Sequence, residues 1–230
     1  MSGIYSPVAT PFVFTGAYEA LPSAAGYPAG SRALVTSAAW SNFYKSFIVT
    51  SINNAWSFDS ITQIAVNSTI VTGTNTNLEQ TLKAIGPFPA NFFVNKQLNI
   101  FGAVGRNSNT TSIALISLRV GTIGSVLDTQ FIAENPSSIF PALSGALATG
   151  FRTVLQCTAS TTKIMYKGHV FDGLSSDNKS SSNYPFAAAA NSEIDGFNLS
   201  GAVYISIAAA MSLSGGSSPI AGFFGISVQG

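Results

Sequence analysis

Residues 78–132 constrain the fold more than any other stretch of the 230-residue chain. They contain four short apolar runs, which are separated by polar turn signals made of Gly, Asn and Pro, the first of them at Gly86-Pro87. The runs are Leu78–Ile85, Gln97–Val104, Ser112–Val120 and Ser125–Ile132. Short strands at regular spacing are typical of antiparallel sandwiches and jelly rolls. The sequence therefore predicts an all-β fold, an antiparallel jelly-roll or β-sandwich knob.

Shorter β-type runs before this stretch predict a separate small β unit within residues 1–60. The runs are Arg32–Thr36, Asn42–Ser51 and Ala55–Asp59. Both tryptophans, Trp40 and Trp56, fall in this part of the chain. A unit of so few residues needs large side chains to bury enough area, so we expect the tryptophans to form its core.

The sandwich domain is predicted to span residues 61–230. After the four central runs, Phe151–Thr158 and Lys163–Phe171 predict a hairpin. Gly201–Met211 and Ile220–Val228 predict two closing strands, of which the last is expected to be central in its sheet.

Residues 1–31 predict an extended N-terminal arm rather than a regular element. Four prolines and four glycines interrupt this segment, yet it is too apolar for a solvated disordered tail. An arm of this kind gains stability only by lying on another surface. Its aromatic and apolar residues are therefore the candidate anchoring and assembly residues: Tyr5, Phe12, Phe14, Tyr18, Leu21 and Tyr27.

The low content of charged residues favours a chain that packs against other subunits. Charged residues make up 8% of the sequence, against a usual figure of about 25%. A surface of Ser, Thr and Asn is the alternative way to keep such a chain soluble. The 17 phenylalanines and the positive mean hydropathy of +0.34 favour burial against copies of the chain.

Charge and hydropathy also exclude several partners. A net charge of +1 provides no field to attract nucleic acid, and the longest apolar stretch, 202–211, is too short to cross a membrane. No Lys or Arg precedes Arg32, so the sequence predicts no secretory signal and synthesis in a cytoplasm.

The sequence contains no pattern typical of a catalytic or metal site. His169 is the only histidine and Cys157 the only cysteine, so zinc and redox iron sites are not expected. Residues alternate between apolar and polar around Cys157, which predicts that its small thiol side chain is buried. Neither a nucleophile elbow nor a Gly-rich phosphate loop is present. We therefore expect no enzyme activity and no cofactor.

Two stretches resemble structural proteins of tailed bacteriophages. Residues 21–36, LPSAAGYPAGSRALVT, are similar to a recurrent "LPSAAxYPGxRAxVTD" segment, with Ser37 in place of its Asp. Residues 72–82, TGTNTNLEQTL, followed by Gln97-Leu-Asn-Ile and Ser117-Leu-Arg-Val-Gly, are similar to the domain that follows it. Together the resemblance covers about residues 20–130.

This resemblance implies a virion component, commonly a homotrimer, with a small β unit before a jelly roll. It carries no catalytic residue. Two hypotheses follow. The first, which is favoured because no sustained heptad run provides the reach of a fibre, is a trimeric capsid-decorating or cement protein whose arm clasps the major capsid protein. The second is a receptor-binding tail-fibre or tail-tip module, which would contact tail proteins and a host surface glycan. A free-standing lectin would need an aromatic and carboxamide groove that the sequence does not locate.

Overall fold

The described part of the chain forms three β-sheets, and buried and outward side chains alternate along their strands. The computed structural model describes residues 11–107, 113–134, 147–172, 193–211 and 217–230. The smallest sheet has the order β1-β2-β3-β4, with β1 parallel to β2 and the other pairs antiparallel. Its strands are β1 (Phe14–Ala17), β2 (Arg32–Ser37), β3 (Phe47–Ile52) and β4 (Ala55–Ser57).

The two larger sheets form a sandwich. The seven-stranded sheet has the order β13-β12-β11-β8-β15-β5, and β6 also pairs with β15. Its strands are β5 (Thr62–Asn67), β6 (Val71–Thr72), β8 (Gln97–Arg106), β11 (Leu147–Cys157), β12 (Lys163–Asp172), β13 (Glu193–Asp195) and β15 (Pro219–Gln229). The four-stranded sheet has the order β10-β9-β14-β7. Its strands are β7 (Gln80–Phe88), β9 (Ile113–Gly121), β10 (Thr129–Glu134) and β14 (Val203–Met211).

The inner faces of both sandwich sheets share one apolar core. Ile100 and Ile226 of the seven-stranded sheet and Ile205 and Leu118 of the four-stranded sheet belong to the same buried cluster. The predicted antiparallel all-β sandwich is confirmed. The predicted hairpin is confirmed as β11 and β12, and β15 lies between β8 and β5, as expected for a central strand. Within the described ranges, no helix has the length and apolarity needed to span a bilayer.

The prediction of a turn at Gly86-Pro87 is wrong, because β7 continues through both residues. The peptide bond between them is cis. β7 pairs with β14 and lies at the end of the four-stranded order, so a proline without an N–H group can be accommodated there. Pro87 is exposed, whereas Phe88, the next residue, is fully buried.

Two predicted strands begin later than expected. The strand predicted from Asn42 begins at Phe47, because Asn42 has a φ of +60° and interrupts extended backbone. The strand predicted from Ser125 begins at Thr129. The preceding loop closes on Asp128, whose carboxylate accepts hydrogen bonds from the backbone N–H groups of residues 123, 124 and 125 at 3.0, 2.6 and 3.1 Å.

Trp40 joins the small sheet to the sandwich rather than forming the core of a separate unit. Its indole N–H donates to the carbonyl of Ile64 in β5 at 3.3 Å, and its ring centroid lies 5.2 Å from those of Phe88 and Phe92. Trp56 is only partly buried, and its indole N–H donates to the carbonyl of Pro22 at 2.6 Å. The expectation that both tryptophans fill one small core is wrong.

The first described residues fold onto their own chain. We expected no regular element in this segment, yet it contains β1 and two 3₁₀ turns, Tyr18–Ala20 and Ala24–Gly26. The Glu19 carboxylate accepts a hydrogen bond from the N–H of Ala39 at 2.7 Å. The prolines keep these elements short, and burial of apolar side chains against the core stabilises them.

Candidate functional site

The candidate anchoring residues divide into those that pack inward and those that stay at the surface. Phe14, Tyr18 and Leu21 are partly buried against the core. Tyr18 makes edge contacts with Trp40 at 5.3 Å and with Phe92 at 5.1 Å. Burial raises the pKa of Tyr18 to about 12. These three side chains therefore hold the N-terminal segment on its own domain.

The other candidate residues are closer to solvent. Phe12 is 38% exposed, and the Arg32 guanidinium lies 5.4 Å from its ring centroid. Tyr27 is half-buried and contacts the ring of Trp56 at 5.8 Å. Tyr5 lies outside the described residues. Anchoring by these six residues stays a prediction.

The two residues considered for catalysis lie on the hairpin. Cys157 is fully buried at the end of β11, as predicted, and burial raises the pKa of its thiol to about 12. His169 pairs with Thr153 in the ladder between β11 and β12, and its side chain lies outside the described part of the structure. In the described ranges, no three His, Cys, Asp or Glu residues lie close enough to hold a metal ion.

The outward face of the seven-stranded sheet gathers polar and aromatic side chains that are distant in sequence. Residues directly opposite in an antiparallel ladder share one face of the sheet. We call the set the carboxamide face because amide side chains predominate in it. Its members are Gln63, Gln97, Asn99, Phe101, Arg152, Gln156, Phe223, Ser227 and Gln229.

Three glutamines form one row across the centre of this face. Gln97 of β8 lies directly opposite Gln229 of β15 on one side and Gln156 of β11 on the other. The Gln156 amide N–H donates to the carbonyl of Cys157 at 3.1 Å. A carboxamide both donates and accepts hydrogen bonds. The row therefore offers both kinds of group at a regular strand spacing of about 4.8 Å.

The next row contains a buried amide. Asn99 lies opposite Ser227 and Val154, and it is only 3% exposed. Its Oδ1 accepts a hydrogen bond from the Arg152 guanidinium at 3.0 Å. Its Nδ2 has no hydrogen-bond partner among the described residues. A buried amide N–H without a partner is uncommon in proteins.

The third row holds an aromatic ring that lies over a glycine of the neighbouring strand. Phe101 lies opposite Gly225 of β15, and a Cβ atom built on Gly225 would be 2.5 Å from Cζ of the phenylalanine. The Cζ end of the ring therefore covers the glycine backbone, and Phe101 is half-buried. Phe223 is 44% exposed and contacts the Phe101 ring at 6.3 Å between centroids.

A groove of 590 Å³ adjoins the carboxamide face at Gln63. Its floor includes Leu34 and Ile48, which lie on the side of the small sheet that faces away from the core. Arg32 and Asp59 also line it, and Asp59 accepts a hydrogen bond from Thr50 at 2.7 Å. A volume of this size is in the range of about 300–1,000 Å³ that small-molecule sites occupy.

Sequence reasoning missed this face because its members come from four strands whose register is not visible locally. The only local signal is alternation within β8, where Gln97, Asn99 and Phe101 occupy every second position. That alternation predicts one common face, but it does not place Gln156 or Gln229 beside them.

Comparisons with known proteins add little to this geometry. No protein-family model and no curated protein matches the chain. A solved structure with partial similarity is the CBM2 module of the evolved Dit of Lactobacillus casei BL23 phage J-1. It superposes with a TM-score of 0.31 and 9% identity, and the match covers 74% of this chain and 80% of that one. A likeness of this size supports no conclusion about function.

Proposed function

We propose that this protein is a non-enzymatic carbohydrate-binding module of a tailed-phage virion. The virion assignment rests on the resemblance of residues 21–36 and 72–121 to phage structural proteins. The carbohydrate assignment rests on one observation, the Phe101 ring lying over Gly225 beside the row of glutamines.

Sugar chemistry fits both parts of this arrangement. One side of a pyranose ring presents C–H groups, which pack on the flat side of an aromatic ring. Its hydroxyl groups both donate and accept hydrogen bonds, which matches the two-way chemistry of Gln97 and Gln229. Gln229 is exposed, and Gln97 is half-buried, so ligand groups can reach this row.

The composition of the face favours binding over hydrolysis. Glycosidases use a pair of Asp or Glu carboxylates on either side of the scissile bond. None of the nine members of the carboxamide face is a carboxylate or an imidazole, and the acidic residues that the ladders place on the same side of the sheet, Asp172, Glu193 and Asp195, lie on β12 and β13. A retained glycan, rather than a cleaved one, is the outcome that these groups support.

A glycan array probed with the purified full chain tests the proposal. We expect saturable binding that free oligosaccharide competes away and that Phe101→Ala weakens by about tenfold or more, because the stacking area is lost. Tyr44→Ala is the matched control, because Tyr44 is 47% exposed and is not a member of the face. Absence of saturable binding, or equal losses in both variants, would overturn the proposal.

A second candidate function, decoration of the capsid as a homotrimer, is supported by a different surface. Phe12 and Val13 are 38% and 41% exposed, and Ile52 and Ile61 of the same region are also exposed. Apolar residues at a surface favour burial against another subunit or the major capsid protein. Light scattering of the purified chain and re-addition to undecorated particles test this role. A monomer that does not bind particles would exclude it.

A further inference from the structure

We infer that the ligand of the carboxamide face is an anionic glycan, whose carboxylate or phosphate binds Arg152 while a sugar ring stacks on Phe101. This inference rests on the proposed carbohydrate binding and names the class of sugar. It follows from where Arg152 lies, how it is held, and which charges surround it.

Arg152 is placed beside the aromatic ring. It lies directly opposite Phe101 in the ladder between β11 and β8, so the two side chains leave the same face of the sheet. Cβ atoms of such opposite residues are about 4.5–5.5 Å apart, which is close to the width of one sugar ring. An acidic group on a stacked sugar is therefore within reach of the guanidinium.

The guanidinium is oriented and still accessible. Its Nη2 donates to Oδ1 of the buried Asn99 at 3.0 Å. Arg152 as a whole is exposed. Arginine carries five N–H donors in a planar fork that matches two oxygens of a carboxylate or phosphate. Asn99 thus acts as a positioning residue, because it fixes one side of the fork and leaves other donors for a ligand.

The other charged residues that the ladders place on this side of the sheet lie on β12 and β13. Arg152 is the one charged residue among the nine members of the carboxamide face. Asp172 of β12 lies opposite Gly150, at a position diagonal to Arg152, and Lys163 of β12 lies opposite Asp195 of β13. An accessible guanidinium beside an aromatic platform can bind the carboxylate or phosphate of an anionic sugar, an interaction that a neutral sugar lacks.

Titration calorimetry of the full chain with three probes tests the inference. The probes are a neutral maltotetraose, a tetragalacturonate, and a glycerol-phosphate teichoic acid fragment. We expect at least one anionic probe to bind about tenfold or more tighter than the neutral one at low salt, as a charge-assisted hydrogen bond would give. The two anionic probes distinguish a carboxylate ligand from a phosphate ligand.

Arg152→Gln should reduce anionic binding to the level of the neutral probe and leave neutral binding within about twofold. Arg152→Lys should retain part of the preference, because it keeps the charge and loses the planar fork. Lys96→Gln is the matched control, since it removes a cation whose amine lies over the Phe92 ring at 5.5 Å rather than on this face. Thermal unfolding of each variant establishes that the fold is retained.

The outcomes separate the two proposals. Equal binding of neutral and anionic probes, or an anionic preference that survives Arg152→Gln, would overturn the inference and leave carbohydrate binding in place. Absence of binding to all three probes and to the array would overturn the proposed function itself. A preference lost in Arg152→Gln and kept in Lys96→Gln establishes the inference.

Discussion

The Lys83 amine of β7 donates a hydrogen bond to the carbonyl of Asn67 in β5 at 3.0 Å, from one sheet of the sandwich to the other. The same amine donates to the carbonyl of Gly222. The ladder between β15 and β8 shifts register between Ala221 and Phe224, so Gly222 lies in a bulge. A bulge redirects the side chains next to it, and here the exposed neighbour is Phe223.

We expect Lys83→Met to lower both stability and glycan affinity. Lys83 is 3% exposed, and its amine donates to two backbone carbonyls. Burial lowers the pKa of this amine. Methionine fills similar space but leaves both carbonyls without a donor, a loss of about 1–3 kcal/mol in the free energy of unfolding. A looser bulge should no longer hold Phe223 in place on the carboxamide face, and glycan binding should then weaken severalfold.

Urea unfolding and calorimetry on the same samples measure both effects. Lys96→Met is the matched control, because burial also lowers the pKa of Lys96, and its amine lies over the Phe92 ring at 5.5 Å rather than at the bulge. A Lys83→Met variant with unchanged affinity would contradict the link between this amine and the carboxamide face.

Gly225→Ala should disable the aromatic platform. A Cβ atom at this position would be 2.5 Å from Cζ of Phe101, so the ring must leave its position on the sheet. We expect a loss of about 1–3 kcal/mol in unfolding free energy, as for other overpacked sites, together with loss of most glycan affinity.

Gly222→Ala provides the comparison on the same strand. A Cβ atom there would be 3.4 Å from Cβ of Ala103, an ordinary contact distance. The alanine at 222 should leave affinity within about twofold of the original protein. Similar affinities for the two alanine variants would mean that the position of the Phe101 ring does not matter for binding.

The strands could be predicted from the sequence, whereas the candidate site could not. Alternation and turn residues are local signals, so β8, the hairpin of β11 and β12, and the central β15 were predicted close to their observed bounds. The row of Gln229, Gln97 and Gln156 depends on pairing between strands that are far apart in the chain, and register leaves no local trace.

The role of Trp40 was misjudged for a related reason. Its neighbours Phe88 and Phe92 belong to the sandwich, whereas the nearest strands along the chain belong to the small sheet. Composition indicated that a tryptophan would be buried, but the partner against which it is buried is a tertiary property. The same holds for Gly86-Pro87, where the position of β7 in its sheet overrides the usual turn preference of these residues.

Alkaline pH should destabilise the protein through two buried acids. Burial raises the pKa of the Cys157 thiol from 9.0 and of the Tyr18 phenol from 10.0, each to about 12. In the unfolded chain both groups ionise earlier than in the folded chain. Their contribution to stability is therefore complete below pH 9 and is lost as the pH rises towards 12.

Urea unfolding between pH 8 and pH 11 measures this effect. Where a group keeps its proton in the folded chain and has lost it in the unfolded chain, the free energy of unfolding falls by about 1.4 kcal/mol per pH unit. The double variant Cys157→Ala, Tyr18→Phe should be less stable at pH 8 and should show a shallower decline above pH 9. Parallel curves for the two proteins would contradict the assigned protonation states.

Two N-terminal truncations should separate the surface part of the segment from its core-packed part. Removal of residues 2–13 takes away exposed Phe12 and Val13 but leaves β1 in place. We expect the midpoint of urea unfolding of this variant to be nearly the same as that of the full chain. Removal of residues 2–21 also deletes Tyr18, whose ring contacts Trp40 and Phe92. Loss of a buried aromatic side chain costs about 3–5 kcal/mol.

The shorter truncation then isolates assembly from folding. If the exposed residues anchor the protein, the variant lacking 2–13 should bind glycan normally and fail to join particles, because the carboxamide face lies on other strands. Full decoration by this variant would show that anchoring uses another surface. Unfolding of the shorter truncation to the same extent as the longer one would show that the first thirteen residues stabilise the domain itself, contrary to the inward packing that begins at Phe14.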